Sequence, residues 1–207
     1  MNTRLKHLGW AMAAAVLGIA ACGGGGDDTT PTPGGVATGG DTSVNPFAAM
    51  VGNWSSGCVD TTYVPPPGSV VGGPSRQEST LITGVVSNPT GADKAMVSID
   101  AKNYNGSTCA EASMDQHFTA SGQVTALPET KLIAGDVNHP KTGTAKIANF
   151  KLDGFTLHNV TLSFATPLGS VNKVGYMFDG VKLYGVKGGR QADGLGSRFG
   201  DITLTRK

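Results

Sequence analysis

The chain of 207 residues carries 16 Lys and Arg against 15 Asp and Glu, and its formal net charge at pH 7 is +1. This near balance excludes the strongly basic surface by which many domains bind nucleic acid, so we expect no nucleic-acid partner. The 162 residues that follow the first 45 are enough for one domain with a single core.

Residues 1–21 have the pattern of a secretory signal. Arg4 and Lys6 precede an apolar segment, residues 8–21, which is shorter than the about 20 residues that a membrane-spanning helix needs. The segment leads into Ile-Ala-Ala-Cys at residues 19–22. This sequence resembles the lipobox of bacterial lipoproteins. The resemblance implies cleavage before Cys22, a diacylglycerol group on its sulfur and a further acyl chain, palmitate, on its new amine.

The residues after the cleavage site indicate an anchored domain on a tether. Gly23, and not Asp, follows Cys22, which by resemblance to enterobacterial sorting rules favours the outer membrane of a Gram-negative bacterium. We expect the periplasmic face rather than the cell surface. Residues 22–45 are rich in Gly and contain no basic residue, so they are predicted to be a disordered tether. Residues 46–207 are then a single β domain.

Strand signals dominate this domain, and only one helical turn is predicted, at residues 45–50. Asp153-Gly154 and Asp179-Gly180 each separate two apolar runs, and an Asp-Gly pair of this kind is a strong hairpin signal. Asn105-Gly106 predicts a further turn. About nine or ten antiparallel strands are predicted, at residues 51–59, 78–87, 96–104, 116–127, 131–137, 144–152, 155–164, 174–178, 181–186 and 201–206.

The first predicted strand opens with Gly52-Asn53-Trp54. A Gly-x-Trp at the start of an antiparallel meander resembles the lipocalin-type barrel. In that family the tryptophan closes one end of the barrel and an arginine near the last strand packs across it. The resemblance implies these roles for Gly52, Trp54 and Arg206, with Arg198 as a second candidate, although the Thr-Asp-Tyr motif of the family is absent.

Closure into a barrel would also remove the two exposed edges of the meander. We therefore predict an all-β, closed lipocalin-like β-barrel, with a β-sandwich as the alternative.

Two cysteines are left for a disulfide once Cys22 is lipidated. In an oxidising compartment, Cys58 and Cys109 are expected to pair. On the chain-entropy model this bond stabilises the fold by about 4 kcal/mol. Gly52-x-Trp54 followed by Cys58 and Cys109 also resembles an uncharacterised family of small Gram-negative lipoproteins. In those proteins a similar pair is thought to join the first strand to a later one.

The histidines do not form a recognisable catalytic or metal-binding pattern. His117 follows Asp115 by two residues, so both side chains are expected on one polar strand face, and no Gly-x-Ser-x-Gly nucleophile motif accompanies them. His139 is predicted in a turn, and His158 opposite Asn149. None of these spacings is that of a metal-binding helix or finger, so we predict no metal and no cofactor.

A Gly-rich stretch at residues 185–200 precedes the last predicted strand. A dinucleotide-binding loop would instead precede a helix, so we interpret this stretch as a long loop. Arg190 and Arg198 are its candidate ligand rim, because their guanidinium groups can hold an anionic group at a barrel mouth.

These features predict a non-enzymatic, lipid-anchored envelope protein whose barrel binds a small apolar or amphipathic ligand. The alternative is an envelope or surface interaction protein with a filled barrel that binds another protein through its loops. Small or polar inward residues would favour the ligand, whereas interdigitated Phe and Leu would favour the filled barrel.

Replacement of Cys22 tests the anchor. Cys22→Ser should accumulate as unlipidated precursor and disappear from the outer-membrane fraction, because the acceptor sulfur is lost. Membrane fractionation with immunoblotting measures this, and unchanged outer-membrane fractionation of the variant would contradict the lipobox assignment.

Overall fold

The computed structural model describes residues 44–61, 77–135, 140–159, 167–187 and 191–207. The predicted signal peptide, Cys22, nearly all of the predicted tether, His139 and Arg190 lie outside the described residues.

In the described ranges, eight antiparallel strands close into one barrel, and each strand pairs with its neighbours in chain order. The strands are β1 (Gly52–Asp60), β2 (Glu78–Thr90), β3 (Lys94–Asn105), β4 (Met114–Ile133), β5 (Gly143–Leu157), β6 (Val171–Phe178), β7 (Lys182–Lys187) and β8 (Arg198–Arg206). Short 3₁₀ turns occur at Ala48–Met50 and Glu111–Ser113. No helix in this described part is long and apolar enough to cross a membrane. The predicted all-β barrel is confirmed.

The strand count is eight rather than nine or ten because two pairs of predicted strands are continuous. The predicted strand at residues 116–127 and the start of the one at 131–137 are both in β4, which ends at Ile133, and the strand at 144–152 continues into the start of the one at 155–164 within β5, which ends at Leu157. Residues 136–137 and 160–164 of these predicted strands lie outside the described residues. The hairpin predicted at Asp153-Gly154 is therefore wrong.

The Asp153 position is a bulge in β5 instead of a turn. Leu152 pairs with Gly122, and Gly154 pairs with Ser121, so Asp153 is the extra residue between two consecutive partners on β4. A side chain at Gly122 would collide with the carbonyl oxygen of Lys151. The long partner strand thus overrides the local Asp-Gly turn signal.

The second Asp-Gly hairpin forms, but with a register that differs by two residues from the prediction. Phe178 pairs with Leu183 and not with Val181. Asp179 Oδ1 accepts hydrogen bonds from the amides of Val181 and Lys182, at 3.1 and 2.8 Å. Gly180 adopts φ +96°, which favours glycine. The turn is therefore longer, and Val181 is exposed.

The barrel interior is filled by large apolar side chains. Its buried members include Trp54, Ile99, Phe150 and Leu152, on β1, β3 and β5. The cavity found in the lumen has a volume of about 70 Å³ and is lined mainly by Ile82, Val86, Val97, Ile99, Leu183, Ile202 and Leu204. Pockets for small-molecule ligands are about 300–1,000 Å³, so the lumen is a packed core.

A smaller apolar cluster lies on the other face of β6–β8. It contains Ile133, Tyr184, Val186 and Phe199, with Met177 against them. Tyr184 and Val186 alternate with Leu183, whose side chain packs in the main core, so this cluster is on the outside of the barrel wall. The far ends of β4 and β5 cover it.

Tyr176 provides a test of the packed interior. Its hydroxyl group is buried with no hydrogen-bond partner among the described residues, and burial raises its pKa to about 12. The folded state therefore keeps the phenol proton more tightly than the unfolded state, whose pKa is about 10. The stabilisation from this group is complete below about pH 10 and is lost as the pH rises toward 12.

We expect Tyr176→Phe to change stability by less than about 1 kcal/mol at neutral pH, because the lost hydroxyl has no partner. Between about pH 10 and pH 12 the variant should lose less stability than the wild type. Urea unfolding followed by circular dichroism measures both, and Tyr104, whose pKa burial also raises, is common to both proteins. Equal losses would contradict a buried, unpartnered phenol.

Candidate functional site

One end of the barrel is closed around Trp54. Its side chain is 1 % exposed, and the indole N–H donates to the carbonyl oxygen of Met50 at 2.9 Å. Phe178 meets the ring edge-on, with 5.8 Å between centroids. The Arg206 guanidinium carbon lies 5.2 Å from the indole centroid, and the same group donates to the carbonyl oxygen of Ala49. The cation and the indole thus stabilise one another across the β1–β8 contact.

Gly52 belongs to the same arrangement. It adopts φ +140°, where other residues are strained, and the Arg206 side chain passes 3.7 Å from where its Cβ would lie. The structure therefore brings together Gly52, Trp54 and Arg206. Phe47 from the preceding segment packs beside them, 5.8 Å from the Tyr176 ring. In the described chain this end of the barrel is plugged.

The opposite part of the interior carries a polar chain that the sequence analysis missed. Thr61 and Thr80 hydroxyls are 3.2 Å apart, Thr80 donates to Asn103 at 2.8 Å, and Asn103 donates to Gln116 at 3.2 Å. Thr80 of β2, Asn103 of β3 and Gln116 of β4 face the interior, because they alternate along their strands with outward-facing residues. Because these groups bond to one another, they form a satisfied polar layer and not a ligand site.

The predicted disulfide is present. Cys58 of β1 is bonded to Cys109, which follows β3, and their Cα atoms are 5.7 Å apart. Cys58 is exposed, so the bond lies on the outer surface. It holds the second half of β1 to the segment that follows β3.

Side-chain hydrogen bonds hold the described part of the Gly-rich stretch against the barrel. The sequence had instead predicted a long, open loop at the barrel mouth. Lys131 Nζ of β4 donates to Gln191 at 2.8 Å and to Asp193 at 2.6 Å. The hydrogen bond from Lys131 is the main cause of the lowered pKa of Asp193. Leu195 is 4 % exposed. Arg198 is the first residue of β8, paired with a β7 residue, and not part of a free loop.

Two histidines meet on the outer wall. The rings of His117 and His158 stack with 4.1 Å between centroids and 22° between planes. His117 Nε2 lies 3.2 Å from Asp100 Oδ1, and His158 Nε2 lies 3.2 Å from Thr119 Oγ1. The carboxylate partner of His117 is thus Asp100 on the neighbouring strand, and not Asp115 on its own strand.

His158 reaches this position because β5 does not turn at residue 154. Its amide donates to the carbonyl oxygen of His117 at 3.0 Å, and the predicted pairing of His158 with Asn149 is wrong. The error follows directly from the hairpin that does not form.

This cluster lacks the connections of a catalytic triad. A triad needs one imidazole between hydroxyl and carboxylate, whereas here Thr119 contacts His158 and Asp100 contacts His117. Stacked rings also direct their nitrogen lone pairs side by side, which does not suit a shared metal ion. In the ranges that the structure describes, no group of three or more His, Cys, Asp or Glu residues is placed to hold one.

A groove of about 540 Å³ adjoins the histidine pair on the wall formed by β1–β5. The floor of the groove is formed by backbone. This backbone belongs to five residues that are consecutive partners across the sheet, namely Trp54, Gly84, Ile99, Ala120 and Phe155. Most of their side chains pack in the core, so the residues on either side of each point outward.

Two rows of outward residues form the sides of the groove. The first row is Asn53, Val85, Ser98, Ser121 and Gly154, and the second is Thr83, Asp100, Thr119 and Thr156. Lys207 borders the groove beside β1. A Cβ at Gly154 would lie 2.7 Å from Ser121 Oγ, so glycine keeps the groove open beside that hydroxyl.

The groove hydroxyls are available for binding. Among the described residues, Thr83, Ser98, Ser121 and Thr156 side chains have no hydrogen-bond partner. In the sequence these four residues are only Ser and Thr at alternating positions of separate strands. Their alignment in rows across the sheet can be recognised only when the pairing register of the strands is known.

No protein-family model, curated protein or solved structure matches the chain. The functional argument therefore rests on the geometry of the barrel and its wall.

Trp54→Ala tests the plug. We expect a loss of about 3–5 kcal/mol in the free energy of unfolding, as for other large-to-small aromatic changes in cores. Val181→Ala, at a site that is 67 % exposed, is the matched control and should change stability by less than about 0.5 kcal/mol. Urea unfolding followed by circular dichroism compares the two, and a loss for Trp54→Ala as small as the control's would refute the plug.

Proposed function

We propose that the protein is a non-enzymatic, lipid-anchored binding module of the cell envelope that binds its ligand on the outer wall of a filled barrel. The observation that carries the proposal is the contrast in available space. The lumen offers about 70 Å³, whereas the wall groove offers about 540 Å³. The ligand would lie between the two rows of outward residues.

The packed interior favours the filled-barrel alternative over an apolar ligand in the lumen. Trp54 plugs one end, and the polar chain through Thr80 and Asn103 occupies another part of the interior. An acyl chain would have to displace well-packed side chains such as Phe150, at a cost in packing that its own burial would only partly offset.

The wall offers binding groups without a reaction centre. The nearest candidate chemistry is the histidine pair, and its hydroxyl and carboxylate partners are on different rings. The hydroxyl of Thr119 lies in mid-strand between β3 and β5, where the backbone pairs with both neighbours. A developing oxyanion needs free donors, which this position does not supply.

The location is proposed from the sequence. The lipobox at residues 19–22 supports lipidation of Cys22, and Gly23 supports the outer membrane, with the domain on its periplasmic face. The disulfide between Cys58 and Cys109 is consistent with an oxidising compartment of this kind.

Chemical-shift mapping by NMR tests the binding surface. The Cys22→Ser chain, which retains every described residue and no acyl chain, would be titrated separately with palmitate, a neutral Gly- and Ser-containing peptide, and neutral tetrasaccharides. We expect one class to shift the amides of residues 83–85, 98–100, 119–121 and 154–156, while core methyl signals stay unchanged.

A pair of variants sharpens the test. Ser121→Trp fills the groove and should abolish the shifts, whereas Thr144→Trp adds the same bulk at an exposed β5 position outside the groove and should preserve them. Shifts of the Ile99, Leu183 and Leu204 methyls by palmitate would instead indicate a ligand in the lumen. No response to any of the three classes would also contradict the proposal.

A further inference from the structure

The outward groups of the groove form a regular grid. Thr83, Asp100, Thr119 and Thr156 are consecutive partners on β2–β5, so they repeat at the strand spacing of about 4.8 Å. Ser98 and Ser121 belong to the parallel row, which is offset by two residues, or about 6.8 Å, along the strands. A ligand in the groove meets polar groups at these intervals across four strands.

The chemistry of this grid is that of donors and acceptors without strong charge. Each hydroxyl both donates and accepts a hydrogen bond, and four of them have no partner in the described chain. Asp100 Oδ1 faces His117, whereas its Oδ2 has no partner among the described residues. A carboxylate accepts from two neighbouring hydroxyls, so Asp100 can bind a pair of adjacent hydroxyls on a ligand.

The same inventory disfavours other ligand classes. One acidic and one basic residue, Asp100 and Lys207, line the groove, so it has no excess of positive charge for a phosphate or sulfate. Val85, which is 37 % exposed, lines the groove beside these hydroxyls, so the groove presents apolar as well as polar surface, as the faces and edges of a sugar require. The strands at its centre are paired on both sides, so an extended peptide cannot join the sheet there.

The histidine stack adds an aromatic surface at one end of the grid. The exposed His158 ring contacts Thr119 through Nε2, and His117 supports it from behind at 4.1 Å. The face of an aromatic ring carries negative charge density and attracts polarised C–H groups. A ligand with hydroxyls on its edges and C–H groups on its faces would use both the grid and the ring.

We propose that the groove binds a neutral oligosaccharide, laid across β2–β5 with one sugar ring against His158. This inference rests on the proposed function and names the ligand class for the same groove. Hydroxyl-bearing sugars present donors and acceptors along a chain, as the two rows do. Asp100 would bind adjacent sugar hydroxyls, and Thr83, Ser98, Ser121 and Thr156 would each exchange a hydrogen bond with the chain.

The experiment titrates the Cys22→Ser chain with three neutral tetrasaccharides, namely chitotetraose, cellotetraose and maltotetraose. NMR reports the binding site and the affinity. We expect at least one sugar to shift the groove amides, and Ser98→Ala and Thr83→Ala to weaken its binding by about fivefold to tenfold each, the value of one net hydrogen bond. Thr144→Ala, which removes an exposed β5 hydroxyl outside the groove, should leave the affinity unchanged.

His158 variants separate the aromatic surface from a merely structural role. His158→Ala should weaken sugar binding at least as much as a lost hydroxyl, whereas His158→Phe keeps a ring face and should retain most of the affinity. Equal weakening by both variants would overturn the stacking assignment.

The controls distinguish this inference from the proposed function. If the neutral peptide or palmitate shifts the groove amides and no tetrasaccharide does, the sugar assignment fails while wall binding stands. If none of the three classes shifts them, both proposals fail. Sugar shifts that persist in Ser121→Trp would place binding elsewhere and would also overturn the inference.

Discussion

Closure between the first and last strands is the contact on which the rest of the barrel depends. β1 and β8 share two registered pairs, Trp54 with Arg206 and Ser55 with Thr205. Side chains complete this short seam. Arg206 lies over the indole, and the Thr205 hydroxyl donates to the carbonyl oxygen of Ser55 at 3.1 Å. After the bulge between Ser55 and Cys58, the described residues of β1 no longer pair with β8. There the Cys58–Cys109 disulfide holds β1 in place. An aromatic plug and a covalent link thus support a closure with few backbone hydrogen bonds.

A closed and filled barrel leaves its outer wall as the surface with room for a ligand. The interior is occupied because large side chains from β1–β5 meet those from β6–β8. The wall is uneven because β5 contains a bulge at Asp153 and because Gly154 carries no side chain beside Ser121. Bulges commonly redirect strands and side chains beside functional sites. The same irregularity that lengthens β5 also carries His158 to the side of His117, so groove and histidine pair have one structural origin.

The candidate site also accounts for the distribution of polar groups over the barrel. Polar residues that face the interior, such as Asn103 and Gln116, bond to one another. Four hydroxyl groups that face outward along the groove, those of Thr83, Ser98, Ser121 and Thr156, lack protein partners in the described chain. Buried polar groups must be satisfied within the protein, whereas exposed groups can exchange water for a ligand at little cost. Two sets of similar residues on the same strands therefore have different roles because of the face on which they lie.

The sequence by itself determined the features that depend on local pattern and on residue type. Recurring strand signals separated by turn residues predicted an all-β meander, Asp179-Gly180 predicted the β6–β7 turn, and the two cysteines predicted their bond. Tertiary structure decided the features that depend on register between distant strands. The turn signal at Asp153-Gly154 was overridden by pairing with β4, and that pairing set which residues are partners of Ser121 and His117. Because a one-residue shift in register moves every side chain to the opposite face, the groove hydroxyls and the histidine pair were defined only once all the strands were paired.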